Sequence, residues 1–177
     1  MQYQYKYHSP LGDITMASNG EAITGLWFDG QKYFGSNLSD DSVCQKLPIF
    51  LETCHWLDIY FQGQKPDFTP ALSLSGTDFR VNVWNQLKKI PYGETTTYKQ
   101  IAQAIARQQN LPHMSAQAVG GAVGHNPISI IIPCHRVLGS DKSLTGYAGG
   151  INKKEQLLEL ERADMSRFFL PEKGAAL

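Results

Sequence analysis

The chain has 177 residues, room for one domain or two small ones, and its 42% hydrophobic content is enough for a buried core. No apolar run approaches the ~20 residues of a membrane span. With 16 Lys plus Arg against 16 Asp plus Glu there is no global basic field, so any nucleic-acid partner has to be met by a local surface. The three cysteines, Cys44, Cys54 and Cys134, are odd in number and too widely spaced for a disulfide framework. The opening Met1-Gln2-Tyr3-Gln4-Tyr5-Lys6 has no apolar stretch of the kind a secretory signal needs. A cytoplasmic location with reduced thiols is therefore expected.

The first third reads as β-rich. Tyr3, Tyr5 and Tyr7 alternate with Gln2, Gln4 and Lys6 at the period of a strand. Ser9-Pro10-Leu11-Gly12 turns the chain into a second strand, Asp13 to Ser18. Asn19-Gly20 then favours a tight turn into a third, Ala22 to Phe28. From Pro48 to Gln62 the apolar residues fall at helical spacings, with proline near the start and Gly63 just after the end, which predicts a helix packed on the sheet. The stretch Pro66 to Gly76, rich in proline, serine and threonine, sets a boundary near Ser75.

Beyond it the pattern turns helical. Thr77-Asp78 caps a helix whose Phe79, Val83, Trp84 and Leu87 share a face and which Pro91 ends. Thr97 caps a second, with Ile101, Ala102 and Ile105 buried and Asn110-Leu111-Pro112 at its end. A third spans roughly His113 to Val123. It is made of small residues, and each glycine in it costs ~1 kcal/mol of helix stability relative to alanine. Either a large partner or the protein's own core must approach it closely. A short helix pair of this kind is the pattern of a helix-turn-helix. A last helix runs from Lys154 to Arg162, with Leu157, Leu158 and Glu161 near one face, and Pro171 to Leu177 reads as a frayed tail. The expected architecture is α/β (α+β): a sheet-plus-helix N-terminal domain over 1–75, a mainly helical, winged helix-turn-helix-like C-terminal domain over 76–170, and a tail over 171–177.

Chemistry points to Cys134. A thiol with a pKa near ~8.5 is only a few per cent ionised at neutral pH, so neighbours must activate it. His135 supplies a base and Arg136 a permanent cation, while Pro133 fixes the backbone before them. The bland alternative is a core cysteine closing the apolar run Ile128 to Ile132. Cys44, Cys54 and His55 do not form a four-ligand zinc set, and no metal or cofactor is expected.

Four ordered motifs widen this reading: Ala118-Val119-Gly120-Gly121-Ala122, Gly124-His125-Asn126-Pro127-Ile128, Ile132-Pro133-Cys134-His135-Arg136-Val137 and Gly146-Tyr147-Ala148-Gly149-Gly150. Through them the region from about Gly76 to Glu161 resembles the O6-alkylguanine-DNA alkyltransferase family. The resemblance implies a methylated-DNA–protein-cysteine methyltransferase that moves a methyl or other alkyl group from O6-alkylguanine in double-stranded DNA onto Cys134, once and irreversibly. It leaves open larger alkyl groups and O4-alkylthymine. It also implies roles for other residues. Glu161 orients His135, which removes the thiol proton through a bound water, and Asn126 braces the turn before the cysteine. Tyr98 donates to the departing guanine, the backbone of Val137 and Ala148 contacts the base, and Tyr147 walls the pocket. The flipped-out nucleotide is reached by a recognition helix, which places Gln117, Ala118, Gly121 and Arg136 at the DNA.

Many family members carry an arginine where this chain has Gln117, which lacks the charge and planar fork that brace an orphaned cytosine. Two rivals are weighed. A damage-binding relative without repair activity would lack the acceptor cysteine, which is present. A cysteine hydrolase would need Cys134 and His135 on the same side, whereas neighbours on a strand face opposite ways. The protein is expected to act as a monomer, with no membrane and no obligate protein partner.

Overall fold

A computed structural model describes residues 1–168; the expected tail over 171–177 lies outside the described residues. Contacts divide the chain into two compact units, Met1–Ser75 with Pro127–Ile131, and Gly76–Asn126 with Ile132 onward.

The first unit is built on a four-stranded sheet. Strands β1 (Tyr3–Ser9), β2 (Gly12–Ser18) and β3 (Ile23–Phe28) form an antiparallel meander, and the two-residue β4 (Val43–Cys44) adds to β1 in parallel, giving the order β3-β2-β1-β4. The tyrosine alternation sets the register: Tyr5 lies opposite Met16 and Tyr7 opposite Ile14. Helix α1 (Pro48–Phe61) covers this face, with Phe50 stacked on Tyr5 at 5.7 Å and Phe61 on Tyr7 at 6.2 Å. On the other face Trp27 lies across Gly25, where any Cβ would come within 2.0 Å of the indole.

The outer edge of β3 is closed by two distant segments, which satisfies backbone groups that an open edge would expose. Ile23 pairs with Leu72, and Leu26 pairs with Ile128. The second pairing rests on Leu26 N–H donating to Pro127 O at 2.8 Å and Ser129 N–H donating to Leu26 O at 2.9 Å. The apolar run Ile128 to Ile132 is thus split: its first four residues belong to this unit and only Ile132 to the unit that carries Cys134. Within it Ile130 takes φ 71°, a left-handed conformation that a β-branched residue rarely adopts.

The second unit is mainly helical. Helix α2 (Asp78–Leu87) is capped by Thr77, whose hydroxyl accepts from Arg80 N–H. The pair β5 (Thr96–Thr97) precedes α3 (Tyr98–Gln108), which opens with a full capping box between Thr97 and Gln100. Helix α4 (Ala116–Gly124) begins at Ser115 rather than near His113, because the Ser115 hydroxyl accepts from Ala118 N–H and fixes the start there. Val83, Trp84 and Leu87 of α2, Ile101, Ala102 and Ile105 of α3 and Val119, Ala122 and Val123 of α4 form the core, and Trp84 Nε1 donates to Ala122 O at 2.8 Å. The chain then passes through a 3-10 turn, Cys134–Arg136, into β6 (Val137–Leu138), and ends its regular structure with α5 (Ile151–Leu160) and a short 3-10 turn, Met165–Arg167. Among the described residues no helix is long and apolar enough to cross a membrane.

Candidate functional site

The pairing of β5 with β6 assembles the site. Thr96 aligns with Val137 and Thr97 with Leu138, so the first residue of α3, Tyr98, is held beside the chain that has just left Cys134. No periodicity announces strands of two residues.

Cys134 does not sit on a strand. It opens the 3-10 turn, its N–H donating to Ile132 O at 2.8 Å, so the opposite-facing geometry of strand neighbours does not apply to it and His135. Asn126 caps this turn from behind: its Nδ2 donates to Ile132 O at 2.8 Å, and its side chain also hydrogen-bonds the cysteine. Cys134 is 5% exposed, and burial pushes its thiol up, while Asn126 and the charge of Lys154 pull it down. The resting group is therefore a thiol that needs a base.

The residue next to it in the chain is an imidazole. His135 is fully buried, and burial lowers its imidazole below the ordinary value, keeping the ring neutral. Its Nε2 lies 2.5 Å from Glu161 Oε2. Burial works against ionisation of Glu161, but hydrogen bonds from His135 and Arg136, with the charge of Arg136, outweigh it and hold the carboxyl well below the usual range. An ionised carboxylate only accepts, so Nε2 carries the proton and Nδ1 is the basic nitrogen. Tyr147 packs edge-on against the imidazole at 6.4 Å between centroids.

Arg136 departs from expectation. It was placed at the DNA surface and at the thiol, yet its guanidinium turns inward: Nε donates to Glu161 Oε1 at 2.8 Å, a second guanidinium nitrogen to Oε2 at 3.1 Å, and a third to Ile90 O at 2.7 Å. Buried carboxylate charge needs a matched partner, and Arg136 supplies it. Gly93 N–H donates to the same carboxylate at 3.1 Å. The cation that lowers the Cys134 thiol is instead Lys154. Sequence reasoning passed over it, although Lys154, Leu157, Leu158 and Glu161 fall at i, i+3, i+4 and i+7, which puts a lysine on the buried face of α5.

Tyr98 donates its hydroxyl to Thr145 O at 3.1 Å and Gly146 O at 3.3 Å, and burial pushes its phenol up. Gly146 has φ +79°, and a Cβ there would fall 2.4 Å from that hydroxyl, so only glycine fits. Val137 is fully buried and Ala148 half-buried, both close in sequence to this loop. A cavity of about 800 Å³ opens between α3, α4 and the loop, lined in part by Tyr98, Gln117, Gly120, Thr145 and Gly146.

Gln117, Ala118 and Gly121 are brought together on the exposed face of α4, apart from Arg136. A Cβ on Gly120 would meet the Tyr98 ring at 3.8 Å, an ordinary contact, and one on Gly121 would meet nothing within 4 Å. The protein's own core does not demand a glycine at 121. Elsewhere, Cys44 is exposed, and His55 stacks on Phe68 rather than joining the cysteines; among the described residues no group of three or more His, Cys, Asp or Glu is placed to hold a metal.

Comparison with known proteins agrees with this geometry. Residues 2–74 match the 6-O-methylguanine DNA methyltransferase ribonuclease-like domain, and residues 78–163 match the 6-O-methylguanine DNA methyltransferase DNA binding domain. The chain is 43% identical over 167 residues to a methylated-DNA–protein-cysteine methyltransferase of Mycobacterium tuberculosis H37Rv, covering 90% of this chain and 94% of that protein. It is 44% identical over 158 residues to one from Methanosarcina barkeri, covering 89% and 95%. The crystal structure of Mycobacterium tuberculosis OGT in complex with DNA is similar with a TM-score of 0.77 at 42% identity, covering 94% of each chain. Alike to these proteins over nearly its whole length, and carrying a cysteine turn backed by a buried His–Glu pair, the chain belongs to the methylated-DNA–protein-cysteine methyltransferase family.

Proposed function

We propose that the protein repairs O6-alkylguanine in double-stranded DNA by moving the alkyl group onto Sγ of Cys134, one lesion per molecule, acting in the cytoplasm as a monomer without an obligate protein partner. The observation that carries the reading is the buried Glu161–His135 pair at 2.5 Å beside Cys134. It is the arrangement in which a carboxylate fixes a tautomer and the imidazole activates a nucleophile.

His135 takes the thiol proton, relayed by a water molecule, and the thiolate attacks the alkyl carbon. The S–C bond forms as the C–O6 bond breaks, and the electron pair passes into the purine, which takes up a proton. Tyr98 exchanges its loop carbonyls for the purine and donates a hydrogen bond as that charge develops. Asn126 holds the turn, the backbone at Val137 and Ala148 meets the base, and Tyr147 walls the pocket. Arg136 acts on Glu161, not on DNA.

The lesion base has to leave the stack, at a cost of a few kcal/mol. Gln117, Ala118 and Gly121 form the face that meets the duplex, and the open space at Gly121 supports a close external approach there. The test is incubation with duplex DNA containing O6-methylguanine, which adds one methyl group to the peptide carrying Cys134. Cys134→Ser abolishes transfer and retains DNA binding. Unmodified protein after prolonged exposure to excess lesion would sink the proposal.

A further inference from the structure

Lys154 lies near the start of α5 with its side chain fully buried. A lysine beside apolar surface ordinarily lets its charged end reach water. Here the amine instead donates to the carbonyl oxygens of Val137 and Thr145, and it stands 5.9 Å from the centroid of the Tyr98 ring. The titratable groups that face it are Cys134 and His135 on the 3-10 turn and Tyr98 on α3, and β6 and the following loop contribute two carbonyls.

The destination of the other nearby cation makes this placement informative. Arg136 is committed to Glu161 through two nitrogens, so one guanidinium matches one carboxylate, and a neutral His135 leaves that trio without net charge. The proton that His135 takes from the thiol then gives the trio a single positive charge, on a ring hydrogen-bonded to Glu161. A buried anion is costly unless positive charge is near, and Lys154 is a second buried cation, one whose charge acts on the sulfur.

We propose that Lys154 is a counter-ion of the Cys134 thiolate, a positioning residue whose buried ammonium steadies the sulfur's negative charge until alkyl transfer discharges it. Burial pulls Lys154 down to about 7 and the charge on Cys134 pulls it back up, so the two groups titrate together. The same ammonium holds Val137 and Thr145, so the sulfur's charge is tied to the loop that receives the Tyr98 hydroxyl. The inference rests on Cys134 being the alkyl acceptor.

The experiment titrates the thiol by its thiolate absorbance, without DNA, in a Cys44→Ser, Cys54→Ser background where Cys134 is the sole cysteine. Lys154→Met is expected to move the titration to higher pH and to slow transfer at neutral pH by about tenfold for each unit moved. Lys154→Arg restores the titration. An unchanged titration in Lys154→Met overturns the proposal, as does a Lys154→Arg thiol no different from the Lys154→Met one. A second measurement avoids any folding failure of these variants: the Lys154 side-chain nitrogen is titrated by nuclear magnetic resonance in Cys134→Ser. There Lys154 should lose its proton at lower pH than in the parent, because coupling is reciprocal; equal titrations refute it. Neither readout requires methyl transfer, so a parent protein that fails to take up methyl would sink the repair reading and leave these titrations to be judged by themselves.

Discussion

Gly121→Ala separates folding from DNA contact in one substitution. The residue lies inside α4, where alanine is better than glycine by about 1 kcal/mol, and its Cβ would meet nothing within 4 Å. No packing cost offsets the gain, so the variant should melt higher, by roughly 2–4 °C at this chain length. If α4 meets the duplex as proposed, the same methyl group enters a packed approach, where added volume costs about 1–3 kcal/mol. Affinity for duplex DNA should then fall by about 5- to 150-fold. Thermal unfolding and DNA titration at one fixed salt concentration read the two effects, since phosphate contacts make affinity salt-dependent. A more stable protein with unchanged affinity would refute the assignment of this face. A less stable protein would refute the description of α4 itself.

Glu161→Gln leaves Arg136 buried without its carboxylate and should cost about 3–5 kcal/mol, read by denaturant unfolding, while slowing transfer by about 10⁴-fold through loss of the fixed His135 tautomer. Because the Glu161 carboxyl is held well below its unfolded value of about 4.3, its stabilisation is complete above that value and is lost as pH falls towards the folded one. The wild-type advantage over Glu161→Gln should therefore shrink in acid and not in base. Burial keeps His135 neutral, so the acid limb of the transfer rate should lie below the ~6.5 of a free imidazole; a limb above that value would mean that another base is in use. Tyr98→Phe removes the donor to the purine and should slow transfer by about a hundredfold or more, with DNA affinity unchanged in a binding assay. Gln117→Arg should tighten lesion binding, and identical affinity and rate would exclude the side chain from base flipping.

Much of this was legible in the sequence because it is written in local chemistry. The tyrosine alternation from Tyr3 to Tyr7 marked its strand, Thr77 and Thr97 marked their caps, and the run from Pro133 to Val137 marked the segment that carries the Cys134 turn. The parts that were not legible depend on groups distant along the chain. β4, β5 and β6 are two residues each and exist only because a partner strand satisfies them. Arg136 looked like a DNA-facing cation beside the thiol, but its hydrogen-bonded partner Glu161 lies 25 positions away. Lys154 carried a readable sign, a charge on the buried face of a helix, and the apolar pattern around it hid that sign.

The pairing of Ile128 with Leu26 has a consequence for how the chain is made. The edge of β3 finds its last hydrogen bonds at Pro127 and Ser129, residues synthesised after α2, α3 and α4. On a ribosome, the N-terminal unit can collapse early, but it cannot close that edge until Ser129 has emerged. The usual order, in which an N-terminal domain is finished before the next begins, does not hold here. Cutting the chain at Ser75 would divide two folding units that the genetic order interleaves, and would leave the buried Ile128 without Leu26, its partner on β3.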